Sequence, residues 1–171
     1  MGRGDVVLRS WTVDDAEWYA TTVTGDPLIQ RFTSESPTVT VAEVRAAIAE
    51  LLTGPPGAVG FLVADSLTDQ RLGNIALAYD NGTGDVSYWI AADARGRRAA
   101  TQALLLLSEW AFEDLRLSEL RLWTHVDNLG SRTAAERAGY RRDPERDQDR
   151  LIKGQMWPTV AYVRRPPSQD A

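Results

Sequence analysis

The chain has 171 residues, of which 43% are hydrophobic and 25% charged, a globular composition with enough length for one ordinary domain and its core. Its net charge of −5 speaks against a general nucleic-acid or anionic-membrane surface. The absence of cysteine excludes disulfides, thiolate zinc sites and a cysteine nucleophile, and His125, the single histidine, excludes a histidine-rich metal site. The N-terminal Met1-Gly2-Arg3-Gly4-Asp5 carries no apolar leader and no later run reaches membrane-spanning length, so the expectation is a cytoplasmic protein without a metal.

In chain order, Val6-Val7-Leu8 with Trp11 reads as a first strand. Thr12 or Asp14 caps a helix running to about Val23, with Ala16, Tyr19 and Ala20 on one face. Asp26 to Pro37, rich in Pro, Ser and Thr, reads as a loop, and Thr40 opens a second helix closed by Gly54-Pro55-Pro56-Gly57. Strands follow at Val59 to Ala64 and Leu72 to Tyr79. Asn81-Gly82 then marks a hairpin into a strand over Val86 to Ile90. A long helix from about Arg98 to Leu115 carries Ala100, Ala103, Leu104, Leu107 and Ala111 at helical spacing. Leu120 to Val126 is a strand, Gly130 to Ala138 a helix stopped by Gly139, and Tyr140 begins a return strand. Gln155 to Arg164 forms the last strand, and residues 166–171, opening with Pro166-Pro167, form a frayed tail. This order predicts one α/β domain over residues 1–165. Its hairpins demand antiparallel pairs, while the long helix after Ile90 allows a parallel crossover.

The chemistry concentrates at Arg95-Gly96-Arg97-Arg98-Ala99-Ala100-Thr101, between a strand and the longest helix. A helix start presents unpaired N–H groups and about half a positive charge, which suits a phosphate. The small residues Gly96, Ala99 and Ala100 permit close approach, and Arg95, Arg97 and Arg98 add donors for phosphate oxygens. The competing reading makes these arginines solvated turn residues. Gly82-Thr83-Gly84 lacks a third glycine and precedes a strand, so a dinucleotide fingerprint fails there.

The succession of strand, arginine-rich turn, long helix and strand, followed by Asn128-x-x-Ser131 and Ala138-Gly139-Tyr140, resembles the GNAT superfamily of acetyltransferases. It is similar above all to the branch that acetylates ribosomal-protein N-termini. The resemblance begins at Leu8-Arg9-Ser10-Trp11 and is tightest from Tyr88 to Tyr140. It implies a central mixed, mostly antiparallel sheet with flanking helices. It also implies acetyl-CoA as cosubstrate, with its pyrophosphate on a turn of pattern [QR]-x-x-G-x-[GA]. Arg95 and Ala100 match the ends of that pattern, but Arg98 stands where the inner glycine belongs. A positive φ at Arg98 would cost about 1–2 kcal/mol, and a helical φ nothing.

By the same resemblance, the pantetheine arm pairs with the strand ending at Trp89-Ile90-Ala91, in the manner of an added strand. Asn128 then lies on the pantetheine, and the Ser131 hydroxyl faces the leaving thiolate. Both residues also suit plain helix capping. Asp85 occupies a strand position where relatives often carry an acid, although alternation sets it opposite Tyr88. Glu35 lies in the loop that walls the acceptor site in relatives. Tyr88 either directs its hydroxyl to the thioester or packs in the core, and His125 closes a strand beside the cofactor. The tryptophans read as scattered packing residues. Without Cys and without a G-x-S-x-G elbow, a covalent acyl-enzyme is not expected. Direct attack by an amine in a ternary complex remains, the acceptor being a peptide N-terminus or a small molecule. Pairing of the last strands offers a homodimer, and a catalytically silent acyl-CoA-binding module is the alternative to an enzyme.

Overall fold

The computed structural model describes residues 1–54 and 56–167; Pro55 and the end of the expected tail, 168–171, lie outside the described residues. Two strands open the chain, β1 (Gly2–Arg3) and β2 (Val6–Arg9), followed by helices α1 (Ala16–Gly25), α2 (Pro27–Phe32) and α3 (Val41–Leu52). A meander of β3 (Ala58–Asp65), β4 (Arg71–Asp80) and β5 (Thr83–Ile90) leads to α4 (Ala99–Glu113). Then come β6 (Glu119–His125), α5 (Leu129–Arg137), β7 (Arg141–Arg142), β8 (Gln148–Ile152) and β9 (Gln155–Arg164). The strands form one nine-stranded sheet in the order β1-β2-β3-β4-β5-β6-β9-β7, with β8 hydrogen-bonded to β9.

Local chemistry accounts for most of these boundaries. Thr40 caps α3 in a reciprocal capping box, its hydroxyl accepting the Glu43 N–H at 3.3 Å while the Glu43 carboxylate accepts the Thr40 N–H at 2.8 Å. Asn81 and Gly82 both take positive φ, 48° and 77°, and close the β4–β5 hairpin with Asp80 opposite Thr83. Alternation in β3 sends Val63 to one face, with Ile75, Leu104 and Leu107, and its neighbours Leu62 and Ala64 to the other, with Trp11, Val44 and Ile48. Helices α4 and α5 thus cover one face, and α1 and α3 the other.

Three expectations need correction. The segment from Asp26 to Pro37 is not all loop: Asp26 caps α2, accepting the N–H groups of Leu28 and Ile29, and Pro27 fits the first helical turn. Three helices, not two, therefore precede the meander. The return strand after Tyr140 shrinks to Arg141–Arg142, and a β8–β9 hairpin follows that the sequence reading did not place.

Strands β5 and β6 form the one parallel pair among the described residues, and they pair over Thr83–Glu119, Gly84–Leu120 and Asp85–Arg121 alone. Beyond Asp85, β5 stays hydrogen-bonded to β4 as far as Ile90, and β6 to β9 as far as His125. Their facing edges diverge, so the sheet opens into a fork. Gly73 secures the far end of β5: a Cβ there would stand 2.3 Å from the Trp89 carbonyl oxygen and 3.1 Å from the Ile90 Cα. Because the closest obstacle is the Trp89 backbone carbonyl, which cannot yield as the nearby Ile90 side chain could, Gly73→Ala is expected to destabilise the protein by about 1–3 kcal/mol. Urea denaturation checks this, and an unchanged midpoint would contradict it.

Candidate functional site

The turn from β5 into α4 lies at the mouth of the fork. Gly96 adopts φ 79°, and an added Cβ would meet nothing within 4 Å, so the turn leaves open space beside its backbone. Among the described residues the N–H groups of Gly96, Arg97, Arg98, Ala99, Ala100 and Thr101 have no hydrogen-bond partner; the helix ladder starts with Gln102 donating to the Arg98 carbonyl. Free amides at the start of a 15-residue helix form an anion-attracting edge.

The arginines of this turn differ. Arg98 lines the cleft and adopts φ 61°, ψ 14°, so it bears the left-handed strain that a glycine would avoid. Arg97 is exposed and lies outside the cleft lining. Arg95 turns its guanidinium to Asp26, Nη2 to Oδ2 at 2.5 Å. Ala91 is buried, and its N–H donates to the Leu72 carbonyl at 2.9 Å, whereas Trp89 and Ile90 line the cleft.

The cleft encloses about 1340 Å³ and passes through the fork from one face of the sheet to the other. On the α4–α5 side, Asn128 caps α5, its Oδ1 accepting the Ser131 N–H at 3.1 Å. The Ser131 hydroxyl in turn bonds the Tyr88 hydroxyl at 2.9 Å, across the gap from β5. Burial pushes the Tyr88 hydroxyl up to about 12, so it stays protonated near neutrality and keeps a proton in this pair.

On the α1–α3 side, Glu35 accepts both the Tyr19 hydroxyl, at 2.7 Å, and the Trp89 indole N–H, at 3.3 Å, on the same oxygen, Oε1. Its Oε2 has no partner among the described residues. Tyr19 and Trp89, which hold this carboxylate, stack with Trp11 and Trp18 into one aromatic cluster, with Tyr19–Trp89 centroids 5.2 Å apart and Trp18–Trp89 5.7 Å apart. Trp11, Trp18 and Trp89 therefore converge instead of scattering, a tertiary fact that wide spacing along the chain conceals. Asp85 also lines the cleft but is exposed, in register with Arg121 and on the face opposite Tyr88. His125 is a packing residue between Phe32 and Trp157, at 5.7 and 5.6 Å, whose Nδ1 accepts the Asp127 N–H.

The structure thus brings Tyr88, Asn128 and Ser131 together, sets the amides of 96–101 at one end of the same cleft, and holds Asp85 apart from Ser131. Asp26 was missed, although Asp followed by Pro is a readable helix start. Among the described residues no cluster of His, Cys, Asp and Glu could hold a metal, and no helix is long and apolar enough to cross a membrane.

A mixed sheet parted at its parallel pair, with a helix start at the opening, belongs to the α/β acyltransferase folds. Residues 5–141 match the family model described as the acetyltransferase (GNAT) domain, and the chain belongs to that family. A curated relative, the provisionally named ribosomal N-acetyltransferase YdaF of Bacillus subtilis (strain 168), is 29% identical over 82 residues, 48% of this chain. That match spans 45% of the relative's length. Among solved structures, the ribosomal-protein-S5-alanine acetyltransferase of Vibrio fischeri superposes with a TM-score of 0.85 at 14% identity, covering 100% of this chain and 98% of that one. The spermidine N-acetyltransferase of Vibrio cholerae, solved with CoA and spermine, gives 0.81 at 16% identity, covering 95% and 96%. At such identities these likenesses concern the fold.

The left-handed φ of Arg98 generates a prediction. Arg98→Gly removes the strain while adding flexibility to the unfolded chain, for a net gain of about 0.5–1 kcal/mol. A raised denaturation midpoint is expected, and a lowered one would show that the Arg98 side chain contributes more than its backbone costs.

Proposed function

We propose that the chain, acting as one domain over residues 1–165, is an N-acetyltransferase that moves acetyl from acetyl-CoA to a primary amine by direct attack in a ternary complex. The observation that carries this reading is the fork: a strand edge at Val86–Ile90 that diverges from its parallel neighbour, leading to the unpartnered amides of 96–101. The two parts fit the two parts of CoA. A diphosphate suits the amides and the open space at Gly96, with Arg98, Ala99, Ala100 and Thr101 around it, and a pantetheine amide chain suits a strand edge through Trp89 and Ile90. Arg97 contributes its backbone N–H alone, and Ala91, whose N–H and carbonyl are bonded to Leu72 and Ala94, supports the turn from beneath without touching the ligand. Asn128, whose Oδ1 is committed to its cap, offers its side-chain N–H₂ to the pantetheine.

The amine nitrogen attacks the thioester carbonyl, the C–N bond forms, the C–S bond breaks, and the thiolate takes a proton. Ser131 and Tyr88 share a hydrogen bond on the leaving-group side, so Ser131 donates to sulfur while Tyr88 holds and replenishes it. The amine must arrive neutral; an α-amine of pKa about 8 is roughly one-tenth neutral at pH 7, whereas a lysine near 10.4 is far less so. That favours a peptide N-terminus as acceptor, since a weak base then suffices. Glu35 fits this role better than Asp85, because two aromatic donors, Tyr19 and Trp89, fix one of its oxygens and leave the other without a partner among the described residues. Asp85 stands in solvent beside an arginine. Holding amine and thioester in line supplies the larger share of the rate, several kcal/mol.

The test is acetyl-CoA consumption with Ser- and Ala-starting peptides, spermidine and an aminoglycoside as acceptors. Turnover with at least one amine is expected, and Ser131→Ala should lower that rate by about 100-fold with CoA affinity unchanged. CoA binding without turnover of any amine would instead mark a silent binding module. A Ser131→Ala variant with normal rate would reduce Ser131 to a helix-start residue.

A further inference from the structure

Asp26 is 7% exposed, and its two carboxylate oxygens serve different elements. Oδ1 accepts the N–H groups of Leu28 and Ile29, at 2.9 and 3.3 Å, which starts α2. Oδ2 accepts Arg95 Nη2 at 2.5 Å. One buried anion therefore ties the first residue of the 95–100 turn to the helix on the opposite side of the cleft. That helix spans six residues, far too few to be stable alone, so its order depends on its attachments. Besides Gln30, which donates to the Val23 carbonyl and accepts from Lys153, and an exposed Arg31–Asp127 pair, these are the Asp26 carboxylate at its start, Ile29 packed with Val23 and Trp89, and Phe32 against His125. Leu28, Ile29 and Phe32 face the cleft on the same side as Glu35.

We propose that Asp26 is a positioning residue through which occupancy of the phosphate turn orders α2, the wall of the acceptor side. This rests on the reading that a CoA diphosphate docks on the amides of 96–101. A diphosphate held there fixes the backbone from which Arg95 projects. Arg95 then fixes the carboxylate it shares, and the carboxylate fixes the first turn of α2. The coupling needs no change of shape, only that ordering one end lowers the cost of ordering the other. The charges agree with this direction. Arg95 is neutralised by Asp26, so the amides and Arg98 meet the anion while Arg95 transmits its presence.

Hydrogen exchange of the full chain, with and without CoA, tests the link in the wild type and in Asp26→Asn. Asn retains the capping oxygen and removes the charge. In the wild type, CoA should slow exchange at 96–101 and also at 28–33, the latter by about fivefold or more. In Asp26→Asn the slowing at 96–101 should persist and that at 28–33 should vanish. Asp26→Ser, also a competent cap, serves if the Asn variant is poorly folded. Equal slowing of 28–33 in wild type and variants, or none in a wild type whose turn is protected, overturns the proposal. A wild-type turn that CoA leaves unprotected refutes the docking reading itself, and the inference with it.

Discussion

Everything that the cleft offers follows from how briefly β5 and β6 touch. They pair over Thr83–Asp85 and Glu119–Arg121, then part, each held by an antiparallel partner on its outer side. A strand edge in a buried sheet centre is costly unless something pairs with it. Here the opening gives that edge a ligand-sized gap. It also places the free amides of the α4 start at one end, and it lets Tyr88 reach Ser131 across the gap.

Buried ion clusters brace the frame around this opening. At the root of β6, burial would raise Glu119, but hydrogen bonds from Arg121, Arg146 and Arg165 outweigh it and hold the carboxyl down to about 2. Those contacts clamp the vertex of the fork to the C-terminal segments. Across the sheet, burial again works against Asp15, yet Arg9 and Arg71 keep it well below the usual carboxylate range and bind α1 to β2 and β4. Such clusters are poor sources of net stability, but losing one partner strands a buried charge, so they fix geometry. The Asp26–Arg95 pair belongs to the same set, with the difference that one member sits on the turn itself.

The sequence made the central stretch legible because its signals are local. Asn81-Gly82 specified a hairpin, and the change from strand to small residues at 95–100 marked the start of α4. Asn128 and Ser131 were legible as a cap, which they form, whereas the Ser131–Tyr88 hydrogen bond is a tertiary contact that the sequence did not announce. Other features escaped for physical reasons. Polar composition concealed α2, whose stability lies in one capping carboxylate and tertiary contacts. The β8–β9 hairpin turns on Lys153 and Gly154, at φ 49° and 75°, a conformation that Lys rarely announces. The φ of Arg98 and the gathering of Trp11, Trp18, Tyr19 and Trp89 into one cluster are set by the fold, not by neighbours in the chain.

The most direct test is a crystal structure of the protein soaked with CoA. The account predicts the diphosphate on the amides of residues 96–101 and the pantetheine running along Val86–Ile90, with its sulfur near the Ser131 hydroxyl. Well-occupied CoA lying elsewhere, or a fork that stays closed to it at saturating concentration, would contradict the claim that the parted strands are the cosubstrate site.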